Sequence, residues 1–349
     1  MIAYLVTILT LVSIAAILAL ALNLQWGLCG MVNFGIVGFF ALGAYTAALL
    51  AMAGTGPVIA TFGAMLVCAA AGALVALLSL RLAEEYLAIV TLGFGEIVRL
   101  VSLNEGWLTG GALGLPGIPR PFFDLVPAGS YDVYFLGLCL LVLAAVFLGL
   151  ERLARSPFGR LVRSVREDDV VAATLGKNVV RTRVIAFAIG SAVTAIAGAL
   201  HAFFFSYIDP SQFTPIVSAY AFMAVIAGGR GSNRGILLGA CTVMVLLEGS
   251  RFLKDFVDVL DSDQLAAVRL ILIGLGLILF LIFRPQGFGR EPRLRAARLV
   301  GDATTPGPLS GPATGLAPDP ALAPATAKEG DFHGTCQPSR LVRAAAPDR

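Results

Sequence analysis

The chain has 349 residues, of which 58% are hydrophobic and 13% are charged, and its formal net charge is +3. An ordinary soluble domain carries about 25% charged residues. A soluble protein of this length cannot bury so much apolar side chain while covering its surface with polar groups. The composition therefore argues against a soluble enzyme, a disordered protein and a nucleic-acid-binding protein, and it predicts a polytopic membrane protein.

The apolar runs predict membrane-spanning helices, because a helix needs about 20 apolar residues to cross the hydrocarbon core of a bilayer. In chain order, the runs lie at residues 3–22, 28–52, 57–80, 86–103, 133–150, 184–206, 216–229, 235–250 and 264–283. They are continuous rather than alternating, which favours helices over the strands of a membrane barrel. The predicted fold class is an all-α, polytopic helix bundle with nine spans, or ten if the polar residues Asn23, Gln25 and Asn33 mark a break that adds a crossing.

The positions of lysine and arginine predict the orientation of the bundle, because short cytoplasmic loops carry an excess of these residues. Residues 151–183 contain eight basic residues against four acidic ones, and residues 284–298 contain five arginines against one acid. Both segments are predicted to be cytoplasmic, and the four spans between them are the even number that this requires. The acidic stretch 255–263 then lies outside.

The chain changes character after residue 298. Residues 299–349 are rich in Pro, Ala, Gly and Thr and have almost no aliphatic clusters, so they cannot bury enough apolar surface to offset the entropy of ordering the chain. We therefore expect a transmembrane domain at 1–298, which contains the basic loop 151–183, and a disordered, Pro/Ala-rich cytoplasmic tail at 299–349.

The sequence lacks the common motifs of catalysis and of nucleotide or metal binding. It has no GxxxxGK[ST], HExxH or GxSxG pattern, and its two histidines, His201 and His333, are far apart. The five cysteines include no C-x-x-C pair and are predicted to be small buried hydrophobes. We expect no cofactor, no metal, no disulfide and no enzymatic activity in this chain.

The basic loop 151–183 has the features of two short helices. Pro157 suits the start of the first, and the acids Glu167, Asp168 and Asp169 suit the N-terminal turn of the second, where they complement the helix dipole. Gly176 suits its end. The length and apolar positions of the loop favour docking onto a partner protein, and an ordinary basic loop on anionic lipid is the alternative.

Several short segments, read together, carry a family resemblance over about residues 20–290. They are Leu22-Asn23-Leu24, Asn33-Phe34-Gly35, Gly38 to Tyr45, Thr91 to Ile97, Thr109 to Leu115, Arg166 to Gly176, Gly228 to Gly235, and Arg284-Pro285-Gln286-Gly287. Each is weak alone, but the set in this order is specific. The chain resembles the permease subunit of high-affinity branched-chain amino acid ABC importers.

The resemblance implies a set of partners and a location. The partners would be a second, related permease, two ABC ATPase subunits, a periplasmic or surface substrate-binding protein and the lipid bilayer, with no nucleic acid. The location would be the bacterial cytoplasmic (inner) membrane, and the C-terminus would be cytoplasmic. The residues similar to the family's ATPase-coupling segment are Glu167, Asp168, Ala172, Ala173 and Gly176.

The resemblance also implies transport of branched-chain amino acids, and other functions stay open. Within the family, urea and short-chain amides are the alternative substrates. A polytopic membrane enzyme, such as a lipid-modifying transferase, and a secondary transporter are alternatives from other classes. Such an enzyme would need clustered acids or histidines at one interface, and a secondary transporter would work without a soluble ATPase.

Three polar residues within the apolar runs are candidates for the transport path. Glu96 and Arg99 are spaced i, i+3, so they share one helix face and can form an ion pair. An ionisable residue inside a membrane indicates a functional site by default, and a structural pair that locks two helices is the alternative. Asn33 is predicted either to line the path or to form a hydrogen bond between helices.

Overall fold

A computed structural model of the chain describes residues 2–79, 84–123, 127, 130–249, 274–275 and 287–289. All of them belong to one compact unit within the first 293 residues. The predicted span at 264–283, apart from residues 274 and 275, lies outside the described residues. So do the acidic stretch 255–263 and the predicted tail 299–349.

Most of the described residues are helical. In chain order they form α1 (Ile2–Leu22), which runs directly into a π-helix (Asn23–Leu28), then α2 (Ile36–Met52), α3 (Pro57–Ser79), α4 (Glu84–Asn104), the short α5 (Gly106–Thr109), α6 (Tyr131–Arg155), α7 (Pro157–Glu167), α8 (Asp169–Thr174), α9 (Val179–Phe205), α10 (Pro215–Gly228) and α11 (Asn233–Gly249). Two-residue strands, β1 (Leu115–Pro116) and β2 (Tyr207–Ile208), pair antiparallel with Leu115 opposite Ile208. Short 3-10 turns occur at Gly111–Leu113 and Pro210–Gln212.

The helices confirm the predicted class, a polytopic helical membrane protein. Six described stretches are long and apolar enough to cross a membrane: Ala3–Leu28, Pro57–Leu78, Tyr86–Asn104, Tyr131–Arg155, Val179–Phe205 and Pro210–Gly228. Helices α2 and α11 have 17 residues each and are shorter. A described helix therefore overlaps eight of the nine apolar runs. Several helices are longer than the apolar runs that predicted them. Helix α6, for example, continues through the charged residues after the run 133–150 and ends at Arg155.

The chain leaves the helical conformation at residues 29–35, between the π-helix and α2. The predicted run 28–52 was therefore wrong at its start, although the polar residues there do mark a break. The break falls within the first residues of the predicted run 28–52 and adds no tenth crossing within the described part of the chain. Non-helical backbone at membrane depth requires hydrogen-bond partners from the protein. The Met31 N–H donates to the Gln25 carbonyl at 2.9 Å, and the Phe34 N–H donates to Thr91 Oγ1 at 3.1 Å.

Helix α2 packs closely between α4 and α9. A Cβ atom added to Gly38 would lie 2.6 Å from Gly95 Cα on α4, and one added to Gly43 would lie 2.5 Å from Ala195 Cα on α9. Only glycine therefore fits at these two positions of α2. Small residues let transmembrane helices approach until their backbones touch, and this contact buries most of α2.

The C-terminal ends of α1 and α6, the turn between α10 and α11 and the two-helix segment α7–α8 meet at one end of the bundle. We call it the basic end, because the loop 151–183 lies there. Hydrogen bonds between these elements define it. The β1–β2 pair lies elsewhere, where the Ile118 N–H donates to the Ser206 carbonyl beyond the end of α9.

Candidate functional site

The basic loop folds into two helices, as predicted, and its sequence explains both of their starts. The Ser156 hydroxyl accepts from the Gly159 N–H at 3.3 Å and caps α7, with Pro157 in the first turn. Asp168 caps α8 through its Oδ1, which accepts from the Val171 N–H at 2.9 Å. Side-chain acceptors at this position satisfy N–H groups that have no partner within the helix.

Two of the predicted loop residues have local roles that differ from each other. Gly176 adopts a φ of +74°, the left-handed conformation that ends a helix, as predicted. Glu167 is the last residue of α7, so the prediction that it lies in the first turn of α8 was wrong. The reason is that Asp168 takes the extended capping conformation and starts the second helix one residue later.

Helix α8 presents apolar side chains away from the rest of the chain. Val170 is 68% exposed, Val171 52% and Leu175 72%. Ala173 is exposed as well, whereas Ala172 is buried against the chain itself. The two alanines of the predicted coupling segment therefore differ, and only Ala173 is available to a partner.

Polar contacts fix α7 and α8 on the bundle. The Arg183 guanidinium on α9 lies 3.1 Å from the Asp169 carboxylate on α8. Arg166, near the end of α7, donates a short hydrogen bond to the carbonyl of Gly27 in the π-helix. The exposed apolar face of α8 is thus carried by a segment that contacts both α9 and the π-helix.

A buried polar chain at the basic end was not predicted from the sequence. Asn23 Oδ1 accepts from the Gly231 N–H at 2.9 Å, and Asn23 Nδ2 donates to Asn233 Oδ1 at 2.8 Å. Asn233 Nδ2 donates to Glu151 Oε2 at 3.0 Å, and Glu151 Oε1 accepts from Arg155 at 2.6 Å. We call the first three side chains the Asn23–Asn233–Glu151 chain. The only signal in the sequence is that each member interrupts or borders an apolar run.

Asn33 lies in a second buried network, next to the helix break. Its Nδ2 donates to Gln25 Oε1 at 2.8 Å, and Gln25 Nε2 donates to the Phe187 carbonyl at 3.1 Å and to Ser191 Oγ at 3.3 Å. Asn33 is fully buried within the chain. Of its two predicted roles, this geometry favours the hydrogen bond between elements.

Glu96 and Arg99 form the predicted ion pair within α4. Arg99 Nη2 lies 2.5 Å from Glu96 Oε1, and its Nε lies 3.0 Å from Glu96 Oε2. The printed hydrogen bonds of these two side chains run only between Glu96 and Arg99 on one face of α4, and both predicted roles, in the transport path or as a contact that locks two helices, stay predictions. The Glu96 side chain is 39% exposed and that of Arg99 25%. Glu96 also borders a shallow pocket lined by Phe34, Gly35, Val37, Leu92, Gly95, Phe213 and Pro215.

The described residues contain no group of three or more His, Cys, Asp or Glu side chains that could hold a metal ion. His201, the one histidine among them, has its Nε2 3.0 Å from Gln212 Oε1, and its ring lies tilted against that of Phe40 and edge-on to that of Phe213. Cys29, Cys68 and Cys139 are buried, Cys241 is exposed, and none of these four forms a disulfide.

Fold and site together define the class: a polytopic helical membrane protein with a basic, two-helix segment at one end of its bundle. Residues 4–281 match the family model described as the branched-chain amino acid transport system / permease component, and the chain belongs to this family.

Curated relatives agree with the family match. The chain is 37% identical over 306 residues to the high-affinity branched-chain amino acid transport system permease protein LivM of Escherichia coli K12. This match covers 81% of this chain and 69% of the relative. It is 28% identical over 310 residues to a probable LivM of Methanocaldococcus jannaschii, covering 78% and 89%. It is 27% identical over 283 residues to LivH of Escherichia coli K12, covering 75% and 91%. No solved structure matches the chain.

Proposed function

We propose that this chain is the membrane-spanning permease subunit of an ATP-driven ABC importer and that the transported solute is a branched-chain amino acid. The observation that carries the proposal is the family match over residues 4–281. The names of the relatives support the solute, since the LivM and LivH proteins are both described as permeases for branched-chain amino acid transport. No observation specifically favours urea, short-chain amides, a membrane enzyme or a secondary transporter.

In this proposal, α8 is where the ATPase binds. Val170 and Val171 of α8 and Leu175 directly after it are exposed in the isolated chain, and contiguous exposed apolar surface marks protein interaction sites. The helix is short and capped at both ends, so it forms a small, defined contact. Glu167 and Asp168 border it on one side and Gly176 on the other.

The family match and the paired relatives support a set of partners. A second permease of the LivH kind would pair with this chain, two ATPase subunits would bind α8 and its counterpart, and a binding protein would deliver the solute from outside. The distribution of arginine supports a cytoplasmic location for the basic end and the C-terminus. The compartment that suits such an assembly is the bacterial cytoplasmic (inner) membrane.

The Glu96–Arg99 face of α4 is our candidate for the transport path. Both side chains are partly exposed in the isolated chain, and charged groups in a membrane face protein or water rather than lipid tails. A second permease covering this face would enclose the pair and the pocket beside it. A carboxylate next to a guanidinium suits a zwitterionic solute, which carries both charges. Asn33, being fully buried, is assigned a structural role.

The proposal is tested by measuring how much ATPase co-purifies with the tagged chain. The chain is co-expressed with the other subunits of its complex and purified in mild detergent, and the bound ATPase is quantified per permease. We expect Ala173→Arg to lower the co-purified ATPase at least tenfold, because a long charged side chain would stand in the docking face.

The matched control is Ala53→Arg, the same change at an exposed residue of the α2–α3 loop, which should leave the amount of ATPase unchanged. Ala172→Arg is unsuitable, because Ala172 is buried and its loss would disturb the fold. Normal ATPase binding by Ala173→Arg would contradict docking at α8. Absence of any ATPase from the unmodified complex would contradict the proposed function itself.

A further inference from the structure

The Asn23–Asn233–Glu151 chain joins three helices next to the interruption between α1 and α2. Asn23 is the first residue of the π-helix, Asn233 starts α11, and Glu151 lies in the last turns of α6. Asn23 is fully buried and Asn233 nearly so. The non-helical segment 29–35 follows within a few residues of Asn23, so the polar chain lies beside the break between the π-helix and α2.

The links in this chain are directional. Asn23 uses its oxygen for the Gly231 N–H and its amide nitrogen for Asn233, and Asn233 then has only its own nitrogen left for Glu151. Rotating the Asn233 amide by half a turn would place its nitrogen against Asn23 Nδ2, so that two donors meet. It would also place its oxygen against Glu151 Oε2, so that two acceptors meet. The three hydrogen bonds together therefore fix the amide orientations of Asn23 and Asn233.

A second contact connects the same π-helix to the docking segment. Arg166 of α7 donates to the Gly27 carbonyl, and only two residues separate Arg166 from the first residue of α8. The backbone of Gly30, with φ of +80°, runs so close that an added Cβ would lie 2.9 Å from Arg166 Cγ. On the other side, the Arg230 guanidinium lies 4.2 Å from the centre of the Trp26 ring. Direct contacts therefore connect the segment that carries α8 to the π-helix.

We propose that the Asn23–Asn233–Glu151 chain is a latch that closes the basic end of the permease. Arg166 transmits the movement of the docked α8 to this latch through Gly27. Asn23, Asn233, Glu151 and Arg166 are then positioning residues that act on the path through the helix break. The inference rests on the proposed function, since α8 moves only when a partner binds it and does work.

Cys29 provides a native reporter for the state of the latch. It follows the π-helix directly, at the start of the non-helical segment, and is buried. In a background where Cys68, Cys139, Cys241 and Cys336 are serines, its rate of alkylation by N-ethylmaleimide reports how often this region opens.

The first comparison uses the full-length chain in lipid nanodiscs. Asn233→Asp places a carboxylate against Glu151, so we expect Cys29 to be alkylated at least tenfold faster. The double change Asn233→Asp with Glu151→Gln restores a donor for the new carboxylate and should return the rate to within about twofold of the original. The control, Asn104→Asp, makes the same change at an exposed residue at the end of α4 and should leave the rate unchanged.

The second comparison separates a latch from a fixed structural contact. In the assembled complex with ATP bound, the rate of Cys29 alkylation should differ at least threefold from the nucleotide-free rate, and Asn233→Asp should abolish this difference. The latch would be overturned if Asn233→Asp left the rate of Cys29 alkylation unchanged. It would also be overturned if this rate in the unmodified complex were the same with and without ATP. A chain that binds no ATPase would overturn the proposed function, and with it the role of the latch in import, whatever the alkylation rates.

Discussion

Buried amide side chains form several of the hydrogen bonds between the described helices. Gln25 is satisfied at both ends of its amide, by Asn33 on one side and by Phe187 and Ser191 on the other. Such a bond adds about 1 kcal/mol or less to helix association. A buried partner left unpaired costs more, about 1–3 kcal/mol. The main effect of these residues is therefore to determine which helices pack together, and their contribution to the stability of the bundle is small.

Glu96 and Arg99 lead to a prediction at this scale. Glu96→Gln leaves Arg99 as an uncompensated charge, and Arg99→Gln does the same to Glu96, whereas the double change removes both charges. We expect each single change to destabilise the complex and the double change to recover part of the loss, with an interaction energy of about 0.5–3 kcal/mol.

The measurement is a double-mutant cycle on the midpoint temperature at which the purified complex loses its single, sharp elution peak on heating. ATP-driven uptake is measured in parallel, because a pair on the transport path should lose uptake in the double variant even where stability recovers. Strictly additive losses in stability would show that the two side chains do not interact.

Distance along the chain decides which contacts the sequence could predict. Glu96 and Arg99 are three residues apart on one helix, so helical geometry alone brings them together. Asn23 and Asn233 are 210 residues apart, and Asn233 and Glu151 are 82 apart. No local pattern links such residues, so the polar chain at the basic end emerges only from the packing of α1, α6 and α11.

At the scale of elements, hydrophobic length predicted the helices and local chemistry decided their ends. The apolar runs place α3, α4 and α6 within a few residues. The run 28–52 was wrong only at its start, because residues 29–35 are apolar enough for a helix but their backbone N–H groups find other partners, such as Thr91 Oγ1 for Phe34. Between α7 and α8, composition predicted two helices, but which of three adjacent acids caps the second depends on backbone angles.

The contact between the start of α2 and helix α4 gives a prediction for a matched pair of glycines. A Cβ atom added to Gly35, just before α2, would overlap the carbonyl oxygen of Thr91 on α4. A Cβ atom added to Gly93, which lies on α4 like Thr91, would meet no atom within 4 Å. We expect Gly35→Ala to destabilise the protein by about 1–3 kcal/mol through overpacking.

Gly93→Ala should be neutral or stabilise the protein by up to about 1 kcal/mol, since alanine favours a helix over glycine. Thermal stability of the purified variants in one detergent checks both expectations. If the two variants had equal midpoints, the close approach of α2 and α4 would be contradicted.

For the whole molecule, the uneven distribution of charge is the feature that connects sequence, fold and function. The first 80 residues carry no charge, and the basic residues of the described part concentrate in the segment from the end of α6 to the start of α9. That segment carries both the exposed face of α8 and the contact of Arg166 with the π-helix. The sequence was sufficient to predict the family, because the motifs of the family are short, contiguous segments of the chain. The path from α8 to the helix break needed the structure.

We propose that this chain forms the path of an importer that uses ATP to move branched-chain amino acids. The most direct measurement is the accumulation of radiolabelled leucine by proteoliposomes that contain the complete complex, with the binding protein outside and ATP inside. We predict that leucine accumulates against its gradient only when ATP is present. We also predict that unlabelled isoleucine and valine reduce this accumulation by competition. Leucine uptake that proceeds equally without ATP, or ATP-driven uptake of urea but not of leucine, would contradict the account.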